Sequence, residues 1–166
     1  MKKVGILLLI VVFSVAAFAQ KSKFGHVDSN SIFSLMPEKD VATKTIEQYA
    51  MTLEKQLLAL NEELETKYND YMANEATYSP SIKQMKQEEL VNLQQRIQTF
   101  QTKAQEDMQN KEVELLEPLY TKIQDAIKLV GQEQGLIYVF DVSTLLYFSS
   151  ESVDVTPMVK TKLGIK

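Results

Sequence analysis

The residues able to do chemistry are few. His26 stands beside Asp28, a spacing that suits a general base or one arm of a metal site, but it is the single histidine and the chain has no cysteine. A structural zinc site needs four nitrogen or sulfur ligands, so neither a histidine cluster nor a thiolate site can be assembled here, and no cysteine nucleophile exists. The acidic pairs Glu62-Glu63 and Glu88-Glu89 could serve as paired carboxylates. Neighbouring residues on a helix point in different directions, however, and such pairs lie on a solvated face. The chain has no Gly-rich phosphate loop, no Gly-x-Ser-x-Gly elbow and no calcium-binding loop. The reading is a protein that is not an enzyme, uses no cofactor and binds no metal. Its net charge of −4 argues against a nucleic acid partner, which requires clustered lysine and arginine.

Two constellations carry more information. Tyr68, Tyr71, Met72, Tyr78 and Met85 gather soft, adaptable side chains in one stretch of sequence. Such residues serve binders that accept varied partners, and equally they can finish a helical core. The second constellation is the pair of apolar runs Leu136-Ile137-Tyr138-Val139-Phe140 and Leu145-Leu146-Tyr147-Phe148, rich in the residues of buried strands. With the extended stretch Phe24-Gly25-His26-Val27-Asp28 they supply about three short strands, too few for a stable free-standing sheet. Pairing with further subunits is expected.

The elements that position these residues are set by punctuation. Between Gly25 and Gly131 there is no glycine, and only Pro37, Pro80 and Pro118 interrupt. Residues 38–77 and 81–133 consist largely of good helix formers. On the first arm Ile46, Ala50, Leu53, Leu57, Leu60 and Leu64 form a heptad seam whose next position is Lys67, where Tyr68 and Tyr71 can cover the charge. On the second arm Leu90, Leu93, Ile97, Phe100 and Ala104 do the same. A linker at Thr77-Tyr78-Ser79-Pro80-Ser81 makes the arms antiparallel neighbours, each on the order of 60 Å long. Thr156 reads as the cap of a final short helix with Pro157 first inside it and Gly164 at its end. The fold class is α+β: a small sheet body into which a long antiparallel coiled-coil hairpin is inserted.

The N-terminus adds a destination. Lys2-Lys3, the apolar run Val4 to Val15 and Ala17-x-Ala19 read as a signal peptide, residues 1–19, cleaved after Ala19. Its removal takes away two lysines and no acid, which moves the net charge from −4 to −6. The domain reading is then residues 20–37 and 119–166 for the body and 38–118 for the hairpin.

The export signal, a short strand Phe24-Gly25-His26-Val27-Asp28-Ser29-Asn30-Ser31-Ile32-Phe33, the Gln/Glu/Lys-rich hairpin, the tail Leu136 to Asp141 and the ending Asp154-Val155-Thr156-Pro157-Met158-Val159 resemble the Skp/OmpH family of periplasmic chaperones. The resemblance implies a jellyfish-shaped homotrimer with helical tentacles around a cavity, holding unfolded outer-membrane β-barrel proteins in the periplasm without ATP. It implies that the body strands are trimerisation strands: Val27, Leu136, Ile137, Tyr138, Val139, Phe140, Leu146 and Phe148. The tentacle residues Tyr68, Tyr71, Met72, Tyr78 and Met85 become candidate client contacts. The best-known member of that family is strongly basic and associated with lipopolysaccharide, whereas this chain is acidic with one arginine, Arg96. No lipopolysaccharide site is carried over, and contact with a membrane surface is left open. The rival reading is an envelope spacer or adaptor that uses the coiled coil as a bridge without chaperone activity. Pro118, within a helix near the root of the hairpin, is the candidate hinge.

Overall fold

A computed structural model describes residues 23–165, so the signal peptide and its cleavage site lie outside the described residues. The chain divides into two compact units. One holds the residues up to Leu35 together with those from Thr121 onward; the other is Met36–Tyr120.

Met36–Tyr120 is a helical hairpin. Helix α2 (Pro37–Asn74) runs into a 3-10 turn (Glu75–Thr77), and α3 (Pro80–Glu133) leads back. The proline that opens each helix lacks only an N–H that would have no helical partner there. Cross-arm pairs fix the register: Lys67 with Glu89, Asp70 with Lys86, Tyr71 with Gln87 and Glu75 with Lys83. The numbers in each pair rise and fall in opposition, so the arms are antiparallel, and each sum lies close to 158. The seam expected from the sequence is the buried line. Leu93 and Ile97 are buried, Leu53, Leu57, Leu60, Leu64, Leu90 and Phe100 are half-buried, and the positions between them are mostly exposed. Tyr68 does not cover Lys67 as expected; it is 52% exposed. The Lys67 ammonium instead pairs with Glu63 and Glu89, and the buried ring is that of Tyr71, one heptad step further on.

The other unit contains a three-stranded sheet of order β2-β1-β3, all parallel, from β1 (Phe24–Val27), β2 (Tyr138–Asp141) and β3 (Val153–Asp154). Parallel neighbours cannot be joined by a tight turn. The whole stretch from Asp28 to Ile137 forms the connection between β1 and β2, and this is how the sequence accommodates an inserted hairpin. Gly135, at φ 61°, ends α3, with the Leu136 N–H donating to Gly131 O at 2.9 Å. A side chain at Gly25 would meet Leu136 Cδ1 at 2.7 Å and the Val153 carbonyl at 3.2 Å, so only glycine lets the strands approach there.

Three expectations are corrected. Leu145–Phe148 is not a strand: the residues after β2 turn through a 3-10 segment (Val142–Thr144), and Leu146 is fully exposed. Asp141 drives this turn by accepting from the Ser143 N–H at 2.8 Å, which pulls the backbone out of extended geometry. Within the segment Phe24 to Phe33 the strand stops at Val27, and Asp28 caps helix α1 (Ser29–Ser34) by accepting from the Ser31 N–H at 2.8 Å. Thr156 does not cap α4 (Thr156–Lys162), because its Oγ1 accepts from the Asp28 N–H at 3.0 Å, and Asp154 Oδ1 accepts from the Thr156 N–H instead.

The core of this unit is Val27, Ile32, Ile123, Ala126, Val130, Val155 and Val159. Ile32, Val155 and Val159 are completely buried, and the Lys160 ammonium bonds Ser31 Oγ at 3.0 Å across α1 and α4.

Candidate functional site

Two surfaces carry chemistry, one in each unit. In the sheet, side chains alternate between faces. Val27 and Val139 turn inward; Val139 Cγ2 would lie 3.5 Å from a β-carbon placed on either Gly25 or Gly131. Leu136 turns inward too, its Cδ1 against Gly25. The opposite face is aromatic. Phe24 and Tyr138, paired in register, stack with centroids 6.3 Å apart, and Tyr138 lies 5.8 Å from Phe140. Phe24, Ile137, Tyr138 and Phe140 are 43–59% exposed, and Leu146, Tyr147 and Phe148 add more apolar surface. The eight strand residues named from the sequence therefore separate. Val27 is buried within its own unit, Leu136 and Val139 are half-buried, and Ile137, Tyr138, Phe140, Leu146 and Phe148 are open.

His26 shares the aromatic face without being open. It is 8% exposed beneath the Phe148 ring, and its Nδ1 forms a hydrogen bond with Ser152 Oγ at 2.9 Å. Its register partners are Phe140 on β2 and Asp154 on β3. Burial pushes the Asp154 carboxyl up, but hydrogen bonds from Thr156 and the nearby His26 and Lys160 outweigh this and leave it below its ordinary range. The Asp141 carboxyl is lowered in the same way: burial raises it, and hydrogen bonds from Ser143 and Ser29 prevail. These carboxylates hold turns; among the described residues no group of three or more His, Cys, Asp or Glu is placed to hold a metal ion.

In the hairpin, the five residues singled out from the sequence do not form one patch. Tyr71 is buried, donates to Glu75 at 3.2 Å, accepts from Gln87 at 2.8 Å, and lies 6.4 Å from the half-buried Tyr78 ring. Both belong to the end of the hairpin's own packing. Tyr68 lies on one broad face, in a shallow groove with Leu64, Leu90 and Val91. Met85 lies on the other, with Lys67, Glu88, Glu89 and Arg96. Met72 is 54% exposed.

The Met85 side is the charged one. Lys67 donates to Glu89 and holds its carboxyl below the ordinary range, and Lys86 does the same to Asp70 at 3.1 Å, helped by Tyr78 and Asn74. The Lys86 ammonium is raised in return. On the Tyr68 side α3 presents exposed glutamines, among them Gln87, Gln94, Gln98 and Gln101, at a regular spacing that is neither apolar nor charged.

The family model described as outer membrane protein (OmpH-like) matches residues 23–163. The chain is similar to the chaperone protein Skp of Yersinia enterocolitica, with 26% identity over 146 residues covering 86% of this chain and 87% of that one. It is similar to the chaperone protein Skp of Photorhabdus laumondii, with 26% identity over 159 residues and 92% of each chain covered. Its fold is similar to the crystal structure of an OmpH-like outer membrane chaperone from Caulobacter crescentus, with a TM-score of 0.73, 14% identity, and 86% and 84% of the two chains covered. The chain thus shares its overall fold with that structure, and no helix among the described residues is long and apolar enough to cross a membrane. The family match spans both units from β1 to the last helix, and the chain belongs to the OmpH-like outer membrane protein family.

Proposed function

We propose that the protein is an ATP-independent holdase that keeps unfolded outer-membrane β-barrel proteins from aggregating in the periplasm. The observation that carries this reading is the hairpin Met36–Tyr120, whose grooves are shallow and open and whose seam is one residue wide. Such a rod offers many weak contacts and no enclosing pocket. An unfolded barrel chain exposes apolar side chains at alternate positions along its whole length. Weak contacts repeated on tethered arms hold it by raised effective concentration without ordering it.

Tethering needs more than one copy, and the proposed assembly is a homotrimer joined through the aromatic sheet face. Phe24, Ile137, Tyr138 and Phe140 are the contacts in this reading, together with Leu146 and Phe148; Val27 and Val139 support them from within. Export with cleavage after Ala19 completes the proposal. In this scheme residues 20–37 and 119–166 act as the trimerisation body and 38–118 as the tentacle.

Two measurements test it. Light scattering of a urea-unfolded barrel protein diluted into a stoichiometric amount of the chain, without nucleotide, is expected to stay flat; aggregation at the rate of the client alone defeats the holdase reading and leaves the spacer. Tyr138→Asp and Phe140→Asp place charge on the proposed interface without touching the buried side of the sheet, and sedimentation is expected to show monomers that retain helix. A trimer that survives both excludes this face as the interface.

A further inference from the structure

The two broad faces of the hairpin differ in kind. Along α3 one ridge steps by three and four residues from Gln84 through Gln87, Val91, Gln94, Gln98 and Gln101 to Gln105, and every one of these positions is exposed. Six of the seven are glutamine and none is charged, although Met36–Tyr120 carries sixteen acidic and nine basic residues. Gln84 and Gln87 donate to Glu88 and Tyr71, while the side chains of Gln94, Gln98, Gln101 and Gln105 have no hydrogen-bond partner among the described residues. At 1.5 Å per residue the ridge is about 30 Å long.

Facing it across the seam is a ridge of α2. The groove formed by Asn61, Leu64, Glu65 and Tyr68 with Gln87, Leu90, Val91 and Gln94 shows the two ridges side by side. The same α2 ridge, stepped by three and four, carries Met51, Leu58, Tyr68 and Met72, all 52–65% exposed, interrupted only by Glu54, Asn61 and Glu65. The cross-arm ion pairs Lys67–Glu89, Lys83–Glu75 and Lys86–Asp70, by contrast, involve no residue that lines this groove.

We propose that this amide-and-apolar face is the one that holds the client, and that it takes an extended, unfolded polypeptide chain by its backbone. The inference rests on the holdase reading and names the surface that performs it. An extended chain carries an unpaired N–H and C=O at every residue, and burying them without partners is unfavourable. A glutamine amide both donates and accepts, so it pairs with either group wherever the chain lies. Charged side chains would favour particular client sequences, whereas amides are indifferent to them. The apolar ridge takes the side chains: alternate residues of an extended strand are about 6.6 Å apart, close to the about 6 Å between Tyr68 and Met72 one helical turn on. Methionine and tyrosine adapt to whichever side chain arrives.

The test compares faces within the intact protein. Gln94, Gln98 and Gln101 are changed together to Glu in one variant and to Lys in another; the control changes Asn92, Gln95 and Thr99, on the opposite face, to Glu. Circular dichroism verifies folding, and binding of a fluorescently labelled, urea-unfolded barrel protein is titrated. Both ridge variants are expected to bind about tenfold more weakly, and the control within about twofold of the unaltered protein. Loss with only one sign of charge points to long-range attraction and overturns the proposal, as does an equal loss in the control. A change in sedimentation of a ridge variant without client shows that the face joins copies of the chain and also overturns it. Unaltered protein that holds no client overturns the holdase reading itself, whereas normal holding by both ridge variants overturns only this assignment.

Discussion

The imidazole of His26 lies against the ring of Phe148, with centroids 4.1 Å apart and planes 28° from parallel, while its Nδ1 bonds Ser152. The two residues come from β1 and from the irregular segment between β2 and β3, and the pair holds that segment over the sheet. Phe148 keeps 46% of its surface exposed even so, and Leu145 is half-buried, whereas Leu146, Tyr147 and Ser149 are exposed. Phe148→Ala is therefore expected to loosen this segment locally, at a cost of about 1–2 kcal/mol, and leave the hairpin unchanged. Amide hydrogen exchange checks it: faster exchange at Leu145–Ser152 and in β3 only. Unaltered protection there refutes the role assigned to the stack.

Acid should weaken both units. Asp70, Glu89, Asp141 and Asp154 all have carboxyls below their ordinary range in the folded chain. A carboxylate lowered on folding contributes stability above its unfolded pKa, and that contribution is lost as pH falls through the folded value. Stability is accordingly expected to be flat from neutrality down to about pH 4 and to drop below it. The Asp70 and Glu89 pairs are exposed and screened, so added salt should blunt their part, while the part from Asp141 and Asp154 persists. Urea melts at pH 7, 5 and 3, with and without salt, measure this; a drop that begins near pH 6 contradicts it.

What the sequence revealed and what it hid follow from which signals are local. The arms were legible because Leu53, Leu57, Leu60 and Leu64 repeat at heptad spacing, and such a stripe has no other use. Gly135 and Gly164 mark helix ends by their chemistry, at φ 61° and 72°. By contrast, β3 is two residues, Val153–Asp154, which carry no periodicity and become a strand only because β1 is there to pair with. The run Leu145–Phe148 has the composition of a buried strand, yet Leu146 and Tyr147 lie open and Phe148 covers only His26. Aromatic and methionine residues that are close in sequence need not share a face: Tyr68 and Met85 line different grooves. The glutamine ridge is a pattern of spacing in a residue that neither hydrophobicity nor charge registers.

Lys67 interrupts the α2 seam, and the interruption has a measurable consequence. Its ammonium is paired with Glu63 and Glu89, both exposed to solvent that screens the charges, so the pairs add little stability. Leucine there would bury against Leu93 and continue the line from Leu64 to Tyr71, worth about 1–2 kcal/mol. Lys67→Leu is expected to raise the melting temperature of the hairpin by a few degrees, since neither glutamate is left buried. In the proposed holdase, where pliant arms adapt to the client, the same variant is expected to hold less unfolded client. A lowered melting temperature would show that the ion pairs outweigh the seam.

Pro118 lies inside α3, two residues before the end of the hairpin unit. Proline cannot donate the backbone hydrogen bond that would reach the Glu114 carbonyl, and its ring crowds that carbonyl. The helix nevertheless continues to Glu133, with Leu119 and Ile123 buried on either side of one turn. The helix thus runs on past a position where one of its hydrogen bonds is missing. That is the physical basis for proposing Pro118 as the point about which the tentacle flexes. Restoring the bond with Pro118→Ala is expected to stabilise the chain, by at most about 3 kcal/mol, and to stiffen the helix. Melting gives the first quantity and small-angle scattering the second. A narrower spread of maximal dimensions in the variant, together with a narrower range of client sizes held, supports the hinge. Raised stability with an unchanged spread leaves Pro118 a tolerated interruption and removes the hinge from the mechanism.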